Sequence, residues 1–313
     1  MADLVSIVIP CRNEPRLIRA LQSVEQQTYR EVEVIIVDDA SDPIIFYTSF
    51  GRNLVSSLKI ATLRLDQQVG PAAARNAGVE AATGEWVAFL DADDWWLPSK
   101  LARQMARLEE TGRDWAYTDC YYDPPPGRHP RPNSFFHRFP AMPDGPAVHH
   151  AHLAGHNFIT MSSPIVRRSI CPAFQNLPVS EDWDFFTRLA RKHPPASVAS
   201  ALHFYTLTPN GGRHYAALNE YVPVNVAILE RLYGDSNLPV GQKFRVARAR
   251  IVERAAVQLL NAGRNQEALA WLSHAWSAPL RGSLRHWALR LAAAAGHGAY
   301  YRLLRAALWA GRV

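Results

Sequence analysis

The feature that most constrains the fold is the alternation of short apolar runs with segments of helical periodicity. Four runs favour buried strands: Ser6–Pro10, Val32–Val37, Leu58–Leu65 and Trp86–Leu90. Three segments between and after them carry apolar residues at helical spacing: Pro15–Gln27, Pro71–Ala82 and Lys100–Glu110. This alternation predicts an α/β fold with a mostly parallel central sheet and flanking helices. Ligands bind such sheets at the carboxyl ends of the strands, so the residues that follow each strand are the first functional candidates.

The pattern changes after Tyr122, where Pro124–Pro146 is rich in Pro, Gly and His and predicts a surface loop. A strand over Ile159–Val166 and a helix over Asp182–Lys192 are expected next. From Ala216 onward the sequence is helical in character, and four helices are predicted at Phe244–Ala262, Gln266–Ser277, Ser283–Ala295 and Tyr300–Ala310. We therefore divide the chain into a domain at 1–215 and a C-terminal helical extension at 216–313.

Composition narrows the class of protein. Of the 313 residues, 48% are hydrophobic, which suits a globular protein and excludes a disordered or collagen-like chain. The three cysteines have no metal-ligand spacing and suit a reducing compartment. The first residues lack the pattern of a signal peptide, and no apolar stretch is long enough to span a membrane. These features predict a cytoplasmic protein.

The positive charge is concentrated at the C-terminal end. Gly241–Val313 contains twelve Lys and Arg residues and two acids, within a chain of net charge +6. Arginines lie there among Trp287 and Trp309, a composition found in helices that bind anionic membranes. The tail therefore indicates either peripheral attachment to the inner face of the plasma membrane or a helical cap on the fold.

Two of the predicted strands end in acids. Asp91-Ala92-Asp93 follows one strand, and its two carboxylates lie on the same side of an extended backbone. Oxygen ligands so placed suit Mg²⁺ or Mn²⁺, which also bind phosphate and water. Acids after a strand are also common as turn and helix-capping residues, and that alternative stays open. Asp38-Asp39 ends another strand of the same sheet, and Arg75 is a candidate to contact a phosphate or the acidic cluster.

Five sequence blocks occur in the order and approximate spacing seen in family 2 glycosyltransferases, which the chain resembles over residues 4–215. The blocks are Ser6–Glu14, Val37–Asp42, Ala74–Gly78, Gly84–Asp94 and Ser180–Asp184. The resemblance implies the A-type nucleotide-sugar-binding fold and an inverting transfer from a nucleotide-sugar, with a UDP-linked donor favoured. It divides the first domain into a nucleotide-sugar half at 1–110 and an acceptor half at 111–215.

The resemblance also implies roles for individual residues. The nucleotide-sugar site would comprise Pro10, Arg12, Glu14, Asp39, Arg75 and Asp91, with Asp39 at the nucleobase and Asp91 near the ribose and metal. Asp93 would be the direct ligand of Mn²⁺ or Mg²⁺, with Asp91 beside it and His214 as a third metal or phosphate contact. Asp182 matches the catalytic base, and Glu181 would orient the acceptor. Ser180 stands where many relatives have glycine, and the long Pro/His-rich loop leaves the acceptor undefined.

The acceptor expected from the resemblance is a cell-surface polysaccharide or a lipid-linked glycan, and no nucleic acid is expected as a partner. Two other classes remain open. A sugar-phosphate nucleotidyltransferase uses a related sheet, but it carries a Gly-rich phosphate loop where this chain has Pro10–Glu14. A non-catalytic glycan-binding protein would not need Asp93 and Asp182. The histidines at 149, 150, 152 and 156 fit no standard metal spacing and predict a polar loop.

Overall fold

The computed structural model describes residues 3–42, 57–123, 131–132, 142–206, 218–238, 241–261 and 263–274. Contacts divide the chain into two compact units. The first comprises the described residues within 1–150, 157–177 and 181–209, and the second those within 151–156, 178–180 and 210–313. The domain boundary predicted at 215 lies outside the described residues.

Nine strands of the described residues form one sheet. They are β1 (Val5–Cys11), β2 (Val32–Asp39), β3 (Ile60–Leu65), β4 (Trp86–Phe89), β5 (Trp95–Trp96), β6 (Trp115–Asp123), β7 (Arg131–Pro132), β8 (Ile165–Arg167) and β9 (Ala196–Thr206). Their order is β3-β2-β1-β4-β8-β6-β9-β5, with β7 paired to β6. The pairs β1·β2, β1·β4, β2·β3 and β6·β9 are parallel, whereas β8 runs antiparallel to β4 and β6. The predicted α/β class is confirmed, with antiparallel strands added to the parallel part.

The helices of the first unit lie between the strands along the sequence. They are α1 (Leu17–Glu25), α2 (Pro71–Ala81), α3 (Lys100–Thr111) and α5 (Glu181–Lys192), while α4 (Pro146–Leu153) begins in the first unit. A 3₁₀ turn at Arg168–Ile170 follows β8. The histidines at 149, 150 and 152 lie in α4, so the prediction of a polar loop at these positions is wrong.

Burial on both faces explains why β1 and β2 are continuous apolar runs. Ile7 and Ile9 are fully or almost fully buried in a cluster that also contains Leu17 and Leu21 of α1. On the other side, Gly78 of α2 lies so close to Val8 that a Cβ at position 78 would overlap that side chain. Burial of apolar surface stabilises this packing by about 25 cal/mol for each Å² removed from water.

The predicted strand over Ile159–Val166 is wrong for most of its length, because the strand covers only Ile165–Arg167. Side-chain hydrogen bonds replace the expected backbone pairing. Ser163 Oγ accepts from Thr118 N at 2.9 Å and donates to Thr118 O at 2.9 Å. The apolar segment is therefore buried against β6 without joining the sheet there.

The second unit is helical in its described part, which contains α6 (Leu218–Asp235), α7 (Gln242–Asn261) and α8 (Asn265–His274). Leu259 and Leu260 of α7 are buried with Ala268 and Leu272 of α8. The predicted helices at 283–295 and 300–310, and with them the part of the basic tail at 281–313, lie outside the described residues. Among the residues that are described, no helix is both long and apolar enough to cross a bilayer.

Candidate active site

The loops after β1 and β2 are tied to each other by side-chain hydrogen bonds. Asn13 N donates to Ser41 Oγ at 3.0 Å, and Asp42 N donates to Asn13 Oδ1 at 2.8 Å. Asn13 has a φ of 50°, the left-handed conformation that asparagine tolerates better than most residues. Pro10 is half-buried at the end of β1 and Arg12 is exposed in the loop. Both residues assigned to the nucleotide-sugar site therefore lie at the carboxyl edge of the sheet.

Asp39 organises the start of α2. Its two carboxylate oxygens accept hydrogen bonds from Val69 N at 2.7 Å and Gly70 N at 3.0 Å, and its side chain is almost fully buried. Gly70 has a φ of 89°, which residues with a Cβ rarely adopt. The carboxylate thus holds a backbone turn in place, and a contact between Asp39 and a nucleobase stays a prediction.

Arg75 joins the carboxyl end of β4 to the start of α5. Its guanidinium lies 2.8 Å from Asp91 Oδ1 through Nη2 and 3.1 Å from Glu181 Oε1 through Nη1. The Arg75 side chain is only 5% exposed, and the charges of the two acids raise its pKa against the effect of burial. Within the described part of the chain, Arg75 Nε is a buried donor without a partner. One arginine therefore connects a residue assigned to the donor with one assigned to the acceptor.

The ring of Phe174 lies beneath this arginine, with Arg75 Cζ 5.5 Å from the ring centroid. Asn76 holds the backbone of Phe174 through both ends of its amide group. Asn76 Nδ2 donates to Phe174 O at 2.9 Å, and Asn76 Oδ1 accepts from Phe174 N at 2.7 Å. The segment after β8 is thereby fixed beside α2.

Asp93 lies in a negatively charged environment. Burial, followed by the charge of Asp91, raises its pKa to about 6, whereas Arg16 acts in the opposite direction. Arg16 Nη2 is 3.7 Å from Asp93 Oδ2, but its shorter contacts are with Glu14, at 2.7 Å from both Nε and Nη2. Glu14 therefore pairs with an arginine of its own loop, and Asp93 is only weakly neutralised by the protein.

Asp94 shapes the turn that carries the two predicted metal ligands. It is 1% exposed and accepts a hydrogen bond from Ser162 Oγ at 2.6 Å and another from Thr206 N at 2.8 Å. Ser162 Oγ also accepts from Asp91 N at 3.0 Å, and Thr206 Oγ1 donates to Asp93 O. Burial and the nearby acids raise the pKa of Asp94 well above its usual value.

Asp182 occupies the first turn of α5. Asn157 Nδ2 lies 3.4 Å from both carboxylate oxygens of Asp182, and Trp183 N donates to Oδ1 at 2.7 Å. The N-terminal end of a helix favours negative charge, so this position supports an ionised carboxylate. Asn157 Oδ1 is a buried acceptor without a partner among the described residues.

The donor set at Asp91 and Asp93 fits a hard divalent cation. Mg²⁺ is commonly held by one or two carboxylates together with water and substrate phosphates. A cation would also offset the charge that raises the pKa of Asp93. No group of three or more His, Cys, Asp or Glu residues that could hold a metal occurs in the described ranges. His214 lies outside those ranges, so its contact with metal or phosphate stays a prediction.

The structure thus places Asp91, Asp93, Arg75, Glu181 and Asp182 in the first unit, with Arg75 as the shared contact. Sequence reasoning had no signal for Ser162 and Asn157, because each meets its acidic partner only through the fold, and none for the contact of Arg16 with Asp93.

A family model supplies the identification. The model described as glycosyl transferase family 2 matches residues 6–171, more than half of the chain. The chain belongs to glycosyl transferase family 2. The resemblance to family 2 is thereby confirmed; four of the five sequence blocks lie within the matched residues, and Ser180–Asp184 lies outside them.

Curated relatives match shorter segments. The UDP-Glc:alpha-D-GlcNAc-diphosphoundecaprenol beta-1,3-glucosyltransferase WfaP of Escherichia coli is 30% identical over 122 residues, which are 39% of this chain and 47% of that protein. The amylovoran biosynthesis glycosyltransferase AmsB of Erwinia amylovora is 38% identical over 106 residues, 33% of this chain and 35% of that protein. The match therefore spans less than half of either relative.

Solved structures share the fold over nearly the whole chain. S. aureus TarS 1-349 in complex with UDP-GlcNAc has a TM-score of 0.56 at 16% identity, covering 92% of this chain and 91% of that one. The mannosyltransferase PcManGT from Pyrobaculum calidifontis, in complex with GDP-Man and Mn²⁺, has a TM-score of 0.60 at 20% identity, covering 98% and 87%. The family 2 chain thus has the fold of these glycosyltransferases.

Proposed function

We propose that this family 2 member is an inverting, metal-dependent glycosyltransferase that moves a sugar from a nucleotide-diphosphate sugar to an acceptor hydroxyl. The observation that carries the proposal is the Arg75 guanidinium, which contacts Asp91 beside the predicted metal ligand and Glu181 beside the predicted base. One buried side chain thereby holds an acid assigned to the donor and an acid assigned to the acceptor. In-line transfer requires that the two substrates be held in a fixed relative orientation.

The donor is proposed to be UDP-linked and the acceptor a polysaccharide or lipid-linked glycan. Support comes from the relatives: WfaP uses UDP-Glc and a diphosphoundecaprenol-linked sugar, and AmsB belongs to amylovoran biosynthesis. TarS binds UDP-GlcNAc, whereas PcManGT binds GDP-Man, so a guanosine donor is the alternative to test.

Asp182 is proposed as the general base. Inversion by direct displacement needs one group to take the proton of the acceptor hydroxyl as that oxygen attacks the anomeric carbon. The helix N-terminus favours the ionised carboxylate, and the Asn157 amide lies at 3.4 Å from both of its oxygens, which restricts its orientation. Glu181, held by Arg75 at 3.1 Å, would orient the acceptor next to this base.

Asp91 and Asp93 are proposed to hold Mn²⁺ or Mg²⁺ together with the substrate diphosphate. When bound, the cation supplies charge neutralisation for the departing diphosphate. The chain itself fixes the turn that carries these two residues, because Ser162 Oγ accepts from Asp91 N and donates to Asp94. On the nucleoside side, Pro10, Arg12 and Asp39 are proposed contacts.

Family membership weighs against the two other classes. A nucleotidyltransferase would need a phosphate-binding loop after β1, and Glu14 is there paired with Arg16 at 2.7 Å. A non-catalytic glycan-binding protein would have no use for the Asp93 charge, which burial makes unfavourable.

Substitution of the proposed base tests the mechanism. We expect Asp182→Asn to retain nucleotide-sugar affinity and to lower turnover by a factor of about 10²–10⁴, the usual share of a general base. The assay is release of nucleoside diphosphate from UDP-glucose, UDP-GlcNAc or GDP-mannose with Mn²⁺. Asp114→Asn is the control, since Asp114 pairs with Arg167 away from the site. Unchanged turnover in Asp182→Asn would remove this residue from the mechanism.

Asp93→Ala tests the metal assignment separately. We expect this variant to lose the Mn²⁺-dependent part of nucleoside diphosphate binding, measured by titration calorimetry with and without Mn²⁺. Wild-type affinity in the presence of Mn²⁺ would show that Asp93 is no ligand.

Peripheral attachment through residues 281–313 is a further part of the proposal, since a lipid-linked acceptor lies in a membrane. Each arginine near an anionic surface contributes about 1 kcal/mol, and salt weakens that contribution. Co-sedimentation with anionic and neutral liposomes at low and high salt tests it. Equal binding to both vesicle types, or unchanged binding after truncation at Ser277, would leave the tail as a structural cap.

A further inference from the structure

The end of β9 is attached to the acidic turn of the candidate site. Thr206 N donates to Asp94 Oδ1 at 2.8 Å, and the Thr206 hydroxyl donates to the Asp93 carbonyl. Thr206 is therefore attached to the turn that carries the predicted metal ligands, and Tyr205 is the residue directly before it in β9. The proposed mechanism does not use Tyr205.

Strand register determines the side of β9 from which Tyr205 projects. Successive side chains of a strand alternate, so Tyr205 lies on the same side as His203 and opposite to Phe204. Phe204 stacks on Trp95, its cross-strand partner in β5, with ring centroids 3.7 Å apart, so these two rings share the opposite face of the sheet. His203 Nε2 lies 2.7 Å from Thr160 Oγ1, so the side shared by His203 and Tyr205 faces the segment that contains Ser162.

Ser162 is the residue that hydrogen-bonds Asp94 and the backbone of Asp91. Tyr205 therefore projects toward the acids themselves. The Tyr205 ring contacts the in-register Tyr122 ring edge-on, with centroids 6.1 Å apart. This contact restricts the orientation of the Tyr205 ring and therefore the position of its hydroxyl.

Electrostatics agree with this placement. Burial is the largest influence that raises the pKa of the Tyr205 phenol. Four carboxylates raise it further, in the order Asp94, Asp91, Asp182 and Asp93. The hydroxyl thus lies near acids of both the donor side and the acceptor side, and it remains a neutral hydrogen-bond donor.

In an in-line displacement, the transferred sugar lies between the leaving diphosphate and the attacking hydroxyl. A group near both Asp91 and Asp182 is consequently beside that sugar. Building on the proposed function, we propose that the Tyr205 hydroxyl hydrogen-bonds the transferred sugar and so makes Tyr205 a determinant of donor-sugar recognition. A contact with the diphosphate alone is the alternative outcome.

The test compares Tyr205→Phe with wild type and with Tyr29→Phe. Phenylalanine keeps the ring contact with Tyr122, and a melting curve checks the fold. Tyr29 is the matched control because its hydroxyl donates to Asp3 O at 2.6 Å, before β1 and away from the strand ends that carry the acids. Binding of UDP-glucose, UDP-GlcNAc and GDP-mannose is measured with Mn²⁺ by calorimetry, beside UDP and GDP.

We expect Tyr205→Phe to weaken binding of the preferred nucleotide-sugar by about 3- to 10-fold, the effect of one neutral hydrogen bond, with the matching nucleoside diphosphate bound within about twofold of wild type. Tyr29→Phe should change neither. Equal affinities of Tyr205→Phe and wild type for the nucleotide-sugar would overturn the inference, as would an equal loss for sugar-bearing and sugar-free ligands. A wild-type protein that binds no nucleotide-sugar of the panel would contradict the proposed function itself.

Discussion

Removal of the Arg75 side chain tests whether the buried bridge between Asp91 and Glu181 stabilises the fold. Arg75→Ala leaves two carboxylates without their shared cation, and breaking a buried pair costs about 3–5 kcal/mol. The Asp91 and Glu181 side chains are 26% and 17% exposed, so water recovers part of their solvation. We therefore expect a loss of about 3 kcal/mol in the free energy of unfolding, the lower end of that range.

Arg107→Ala is the matched control. Arg107 also meets two carboxylates, Glu110 at 2.9 Å and Asp144 at 3.4 Å, but its side chain is 31% exposed and lies on the surface of α3. Exposed pairs contribute about 0–1 kcal/mol. Both arginines contact two carboxylates and they differ strongly in burial, so the comparison shows how much more the buried bridge contributes.

Urea unfolding of the full chain measures both variants against wild type. With a slope of about 3 kcal/mol per M, a loss of 3 kcal/mol lowers the midpoint by about 1 M. Adding Asp91→Asn and Glu181→Gln to Arg75→Ala should restore part of the loss, because the unpaired charges are then removed. The reasoning is refuted if Arg75→Ala lowers the midpoint no more than Arg107→Ala does.

Two further predictions concern acidity and packing. Burial raises the pKa of Asp119 to about 7, so the stability linked to its protonated form is complete below about pH 4 and is lost as pH rises through 7. Urea midpoints at pH 4 and pH 8 should show that the gain of Asp119→Asn over wild type is about 1–2 kcal/mol larger at pH 8 than at pH 4, after allowance for partial exposure; an equal gain at both values would contradict this. Gly78→Ala should lose about 1–3 kcal/mol through overlap with Val8, whereas Gly234→Ala, in open space on α6, should gain about 0.4–1 kcal/mol. Thermal melts that place both variants on the same side of wild type would count against the packing argument.

The parallel part of the fold could be predicted because its signals are local. β1 and β2 are apolar runs buried on both faces, so their sequences alone identify them as strands. β5 has only Trp95 and Trp96, too few residues for any periodicity, and it exists because β9 pairs with it from more than 100 residues away. The segment before β8 has strand-like composition, but Ser163 uses its hydroxyl where a strand would use its backbone.

The candidate site divides in the same way. Asp91 and Asp93 could be identified because they follow a strand, where the edge of a parallel sheet collects functional groups. The residues that position these acids come close to them only in the folded chain. Ser162 reaches Asp94 from a different part of the chain, at 2.6 Å, and nothing near Ser162 in the sequence marks it as a partner of an acid.

The hydrogen bonds of the Asn76 amide restrict which residues can occupy position 76. It presents one donor and one acceptor to the backbone of Phe174, as the edge of a neighbouring peptide group would. Aspartate has the same size but brings an acceptor against the Phe174 carbonyl, and glutamine has the same groups on a chain one methylene longer. Asparagine is thus the one standard side chain that matches both the shape and the polarity of this peptide edge. A residue whose amide serves only to hold a neighbouring backbone can therefore be as restricted in identity as the acids of the site.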